Sequence, residues 1–199
     1  MNITLFPHSL IYFVSMLLAL MIAQAVWLRR RVLGGALLAV FMSSVSVWLF
    51  GLAMESVVGT IPQKTAWSGV EYIGFSAVAP LLFHFAAVYT RRRFPAWSLV
   101  LLWILPVLNS ILAWTNDRHG LLWKDFIWID RSRFILEYIH GPWHSLFLAY
   151  FSLLIVSACA LFMEAWYRES GDQKKKFMLL ILASLLPLLL GLLQVSSWN

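Results

Sequence analysis

Residues Leu5–Arg31 read LFPHSLIYFVSMLLALMIAQAVWLRRR, an apolar run closed by three arginines. The uncharged part, Leu5–Leu28, is long enough to cross a hydrocarbon layer of roughly 30 Å at about 1.5 Å rise per residue. The pattern then repeats over Val32–Met54, Ala66–Thr90, Pro95–Thr115, Trp143–Tyr167 and Phe177–Trp198. A soluble core cannot hide six such segments in 199 residues. The fold class expected is therefore all-α: a polytopic membrane bundle of six transmembrane helices, one domain over residues 1–199.

Composition agrees with lipid as the solvent. Hydrophobic residues make up 61% and charged residues 12%, against about 45–50% and about 25% in soluble domains. A net charge of +6 could suggest a nucleic-acid partner, but the cations are placed by side. Arg29–Arg31, Arg91–Arg93, Arg168 and Lys174–Lys176 fall in alternate turns, whereas the other side holds only Lys64, Arg118, Lys124, Arg131 and Arg133. That asymmetry puts the first set in the cytoplasm and both termini outside. It also favours anionic lipid rather than nucleic acid. No cation precedes the first run, so it reads as an uncleaved, N-out helix rather than a secretory signal. The lone Cys159 permits no internal disulfide and reads as a packing residue.

Aromatic residues support the boundaries. Trp27, Trp67, Trp97, Trp114, Trp143, Trp166 and Trp198 all fall near an expected membrane–water boundary, where indole prefers to lie. Trp48 and Trp103 lie deeper and read as bundle packing. Pro7, Pro95 and Gly141-Pro142 mark helix starts. Pro80, Pro106 and Pro187 interrupt helices, so hydroxyl side chains or neighbouring helices must satisfy the freed backbone groups. The connection Asn116–Pro142, about 27 residues, exceeds the usual loop length. It is too apolar for a solvated linker, with Leu121, Leu122, Trp123, Phe126, Trp128 and Tyr138 among its residues. An ordered cap with a short helix or hairpin on the outer rim is expected.

Chemistry-bearing residues are sparse. HExxH, GxxxxGK[ST] and GxGxxG are all absent from the sequence. His84 is the one histidine deep in a helix, and no lysine lies at membrane depth to carry a retinal-type Schiff base. No catalytic set, cofactor or metal site is expected. Polar groups near the lipid zone attract attention because burial without a partner costs several kcal/mol. Glu71, Glu55 and Asn109 could converge in an outward cavity rimmed by Trp67, Tyr72, Trp114 and Trp143, apolar walls with a few polar anchors. For Glu71 an interhelical hydrogen bond or an ion pair with a loop arginine competes with ligand contact. For Glu55 the competing reading is a carboxylate facing headgroups. His8, His119, His140 and His144, with Asp117, Asp125 and Asp130, map to the outer side, but no pair has diagnostic metal spacing. His84 reads as a satisfied bundle residue.

The order of these residues resembles a family. Trp48 with Met54-Glu55 comes first, followed by Trp67…Glu71-Tyr72-Ile73-Gly74 and Ala79-Pro80 with Phe83-His84-Phe85. Then come Tyr89-Thr90, Thr115-Asn116…His119-Gly120-Leu121-Leu122-Trp123, and His140-Gly141-Pro142-Trp143…Tyr150. Together they are similar to the N-terminal seven-helix sensor region found ahead of bacterial histidine kinases. The resemblance implies a receptor in the bacterial cytoplasmic membrane, without catalytic activity of its own. Its outer half would bind an unidentified stimulus, and its last helix would drive a cytosolic kinase-type module, with dimerisation through that module. It further implies Glu55, Trp67, Tyr72, Asn116, His119, Trp123, Pro142 and Trp143 as framework or pocket residues. The sequence departs from the family pattern at Phe147, where a histidine often stands and His144 lies nearby instead. A seventh helix and the output module are expected beyond Asn199. The competing class is a transporter or channel subunit, which would need a polar path across the bundle and an internal repeat.

Overall fold

In the computed structural model the backbone is described for residues 6–196 and side chains for residues 6–185. The chain forms α1 (Pro7–Trp27), α2 (Gly35–Val57), α3 (Ile61–Tyr89), α4 (Ala96–Leu101) and α5 (Ile104–Trp114). A 3-10 turn at Asn116–Arg118 leads into β1 (Trp123–Asp130) and β2 (Ile135–His140), then α6 (Pro142–Arg168) and α7 (Gly171–Ser196). Among the described residues, α1, α2, α3, α4–α5 together and α6 are long and apolar enough to cross a membrane. The sixth expected span falls on α7; Leu5, the start of the first expected span, and Trp198, the end of the sixth, lie outside the described residues.

Packing is inverted relative to a soluble protein. On α1 the large side chains Ile11, Val14, Leu17 and Met21 are exposed while the small Ser9, Ala19 and Ala23 are buried. Small residues inside and branched ones outside are what lipid contact and close helix approach require. Helix α3 is the central element. It runs antiparallel to α2, with Gly51 against Glu71, Gly74 against Trp48 and Gly34 against Phe85. It runs parallel to α6, where Phe75 stacks on Phe151 at 4.7 Å and Phe85 meets Phe162 edge-on at 6.1 Å. Phe147, at the position where the resemblance leads one to look for histidine, is a core residue packed against Phe75. Cys159 is buried in the same apolar cluster, the packing role expected.

The two ends of the bundle differ. The α1–α2, α3–α4 and α6–α7 turns gather the arginine- and lysine-rich segments at one end. There Arg30 lies over Trp27 at 5.1 Å and Lys174 over Trp166 at 4.1 Å, so the indoles and cations of the expected boundary meet directly. The opposite end carries the cap, an antiparallel hairpin. Asp130 Oδ1 fixes its turn by accepting from Ser132 Oγ at 2.6 Å and from the Ser132 and Arg133 backbone amides. The Ser132 hydroxyl holds the Asp130 carboxyl below its ordinary value. Phe134, at φ 58°, seats the turn against Gly59 and edge-on to Phe6 at 5.4 Å.

The interruption expected at Pro106 is present, and one helix boundary needs correction. The fourth span is divided: α4 ends at Leu101 and α5 begins at Ile104. Pro106 has no N–H for the carbonyl of Leu102, and the Tyr150 hydroxyl of α6 donates to that carbonyl instead. A neighbouring helix thus satisfies the freed group, and Tyr150→Phe is expected to cost about 1 kcal/mol in thermal unfolding. The third helix starts at Ile61 rather than Ala66, because Thr60 stands at the N-cap and Pro62 in the first turn. This leaves only Val58–Thr60 as the α2–α3 turn and moves Lys64 from a solvated loop into a helix.

Candidate functional site

Two polar joints seat the cap on the bundle, and a third ties three helices together beneath it. The first is built on Lys64, which is fully buried. Its Nζ donates to Glu55 Oε1 and to the Glu55 carbonyl, both at 2.8 Å, so one ammonium ties the end of α2 to the start of α3. Tyr138 of β2 donates to Glu55 Oε1 at 3.2 Å and lies 3.0 Å from Ser68 Oγ. Burial, with the Glu55 carboxylate beside it, pushes the Tyr138 phenol well above its ordinary value, so it remains a donor. Trp128 of β1 lies with its ring 6.0 Å from Lys64 Nζ. Glu55 therefore faces a cation and a phenol inside the protein, not headgroups.

Asn116 is the second joint. Its Oδ1 accepts from the backbone amides of Leu122 at 2.9 Å and Trp123 at 3.0 Å, and its Nδ2 donates to the Trp123 carbonyl at 2.8 Å. That clamp delivers the Trp123 ring edge-on to Tyr72 at 5.2 Å and beside Tyr138 at 5.4 Å. His119 Nδ1 accepts from the Leu121 amide at 3.1 Å, which leaves Nε2 as the donor to Thr115 Oγ1, also at 3.1 Å. His119 thus shapes the loop that leads into the hairpin.

The third joint is Asn109, completely buried on α5. Its Nδ2 donates to Ser76 Oγ on α3 and its Oδ1 accepts from Trp143 Nε1 on α6, each at 2.9 Å. Replacing Asn109 with leucine leaves the indole N–H and the Ser76 hydroxyl without this partner. The expected loss in thermal unfolding is about 2 kcal/mol, with little further loss when Trp143→Phe is added.

Glu71 accepts from Trp48 Nε1 at 3.2 Å, an interhelical bond rather than an arginine ion pair. Trp67 packs edge-on against Phe50 at 5.6 Å, and Trp114 lies against Gly69 with about half its surface exposed. Each of Glu55, Glu71 and Asn109 thus has its own partners. The described cavities lie elsewhere: a groove of about 530 Å³ between α1 and α2, and a smaller one at the cationic end. His140 and His144 have ring centroids 3.7 Å apart across Gly141-Pro142. No group of three or more metal-ligating side chains occurs among the described residues.

Sequence reasoning missed Lys64, Tyr138, Ser68 and Ser76 as partners. Lys64, Ser68 and Tyr72 recur at every fourth position, one helix face once α3 is known to begin at Ile61. The early start supplied by Pro62 was the signal that could have found them.

A helical bundle with several membrane-length apolar helices, a hydrogen-bonded hairpin cap at one end and clustered cations at the other has the architecture of a multi-pass membrane protein. Residues 11–199 match the family described as the N-terminal 7TM region of histidine kinase, and the chain belongs to that family. The family is a sensor region of histidine kinases rather than a catalytic domain. No curated protein and no solved structure shows a significant match.

Proposed function

We propose that this chain is the stimulus-receiving part of a bacterial two-component signalling protein. It sits in the cytoplasmic membrane with its N-terminus and hairpin cap outside. A stimulus acting at the joint between cap and bundle, around Glu55, Trp67, Glu71, Tyr72, Asn109, Trp114, His119, Trp123 and Trp143, favours one helix arrangement. The displacement passes along α3 and α6 to a kinase-type output module, through which the receptor pairs. A stimulus can do this only by binding the two arrangements with different affinity.

The observation that carries the reading is the buried Lys64–Glu55–Tyr138 cluster, which couples the cap to the two ends of α2 and α3. A cap held to that ion-paired junction by single hydrogen bonds moves with the helices that meet there. In everted vesicles holding the receptor with its natural output module, Tyr138→Phe is expected to change basal autophosphorylation about fivefold. An unchanged rate, with hydrogen exchange showing the hairpin loosened, would end the relay.

Orientation has its own test. Thr60→Cys and Ser132→Cys should react with an impermeant maleimide on intact cells, and Gln173→Cys only after lysis. The native Cys159 is buried and should stay silent. The reverse labelling would overturn the N-out assignment.

A further inference from the structure

At the cationic end a cavity of about 290 Å³ opens between the start of α2, the end of α3, the Arg91–Pro95 connection and α4. Its wall is apolar through Leu37, Val88, Phe94 and Leu99, and its polar groups are His84, Arg92 and Arg93. His84 Nε2 is buried with no hydrogen-bond partner. An orphaned ring nitrogen beside a cavity is a place where a bound molecule completes the hydrogen bonding. Arg93 has no acidic partner among the described residues, whereas Arg92 pairs with Glu164 of α6, which Arg168 also engages.

The backbone turns to put these arginines there. Arg91 adopts a left-handed conformation at φ 57°. The Arg91 amide donates to the Val88 carbonyl at 3.0 Å, and the Arg92 amide to the Ala87 carbonyl at 2.8 Å. This closes α3 in the manner of a Schellman cap without the usual glycine.

We propose that this cavity is a headgroup site for an anionic phospholipid. Arg92 and Arg93 at its lip meet the phosphate, for which guanidinium donors are well matched. Leu37, Val88, Phe94 and Leu99 receive the first part of an acyl chain, and His84 Nε2 meets the glycerol or ester oxygens. The mostly apolar wall favours an amphiphile over a soluble phosphate ester, and the small volume excludes a macromolecule. Because Arg92 also holds Glu164, a bound headgroup competes for the contact that ties the α3–α4 turn to the end of α6.

The test uses the purified full chain in zwitterionic detergent, with lipid retention followed by native mass spectrometry. The probes are short-chain phosphatidylglycerol, the matching phosphatidylcholine and inorganic phosphate. One phosphatidylglycerol per chain is expected to bind about tenfold tighter than phosphatidylcholine. Arg93→Gln, a change at an exposed side chain, should weaken it about fivefold. His84→Phe should weaken it as well, while Arg31→Gln in a different cationic turn should leave it unchanged. Equal weakening by Arg93→Gln and Arg31→Gln would mean diffuse attraction and overturn the site. So would equal binding of the two lipids. Displacement of phosphatidylglycerol by an equal concentration of inorganic phosphate would overturn the lipid assignment in favour of a free oxyanion.

Discussion

Lys64→Met is expected to destabilise the folded protein by about 3 kcal/mol, the range found when one partner of a buried ion pair is removed. Methionine replaces most of the aliphatic stem, so the loss is electrostatic and not a cavity effect. What remains is the Glu55 carboxylate, 17% exposed, with only Tyr138 donating to it, and the Glu55 carbonyl without its ammonium. Pairing the change with Glu55→Gln removes the uncompensated charge, and the double variant should recover about half the loss. Thermal unfolding in detergent, analysed as a double-mutant cycle, measures the coupling directly. A single variant as stable as the parent would mean that Lys64 is solvated and that the cap is not anchored through it.

The bundle was readable because lipid imposes two patterns that survive in sequence: apolar length and the placement of cations. Arg29–Arg31, Arg91–Arg93 and Lys174–Lys176 share one end of the structure, as their alternation required. The order in the cap was readable too, since Trp123, Phe126 and Tyr138 are too apolar to be left in water and are found packed together. The break between α4 and α5 was less visible. Pro106 announces a lost hydrogen bond, but whether the helix bends or stops depends on Tyr150, distant in sequence, supplying a donor at Leu102.

The site resisted for a different reason. Polar residues in lipid are conspicuous one by one, so Glu55, Glu71 and Asn109 stood out, but their partners are fixed by helix register. Apolar length draws a boundary at Ala66 because Lys64 and Gln63 look like loop. Pro62 says otherwise, and the shift of a few residues brings Lys64 onto the face of Ser68 and Tyr72. The same register pairs Asn109 with Ser76 and Trp143, a junction of three helices that no local spacing displays.

Gly74→Val tests whether the α2–α3 crossing sets the geometry of everything above it. A Cβ at Gly74 would lie 2.4 Å from the Trp48 amide nitrogen and 2.5 Å from the Ser44 carbonyl oxygen. Across the same crossing, a Cβ at Gly51 would lie 2.5 Å from the Glu71 Cα. These neighbours are backbone, so no rotamer change relieves the clash and the helices must separate. Separation also stretches the Trp48–Glu71 hydrogen bond of 3.2 Å, leaving the Glu71 carboxyl group and the Trp48 N–H in the bundle without this partner. Together these effects are expected to cost about 3 kcal/mol or more, with Gly74→Ala smaller in the same direction. Gly69→Ala is the informative contrast. Its added methyl would approach the Trp114 indole at 2.9 Å, but that ring is 53% exposed and can swing outward, so the loss should stay under about 1 kcal/mol. Melting temperatures in detergent rank the three variants. Equal losses at Gly74 and Gly69 would show that backbone proximity is not what holds α2 to α3.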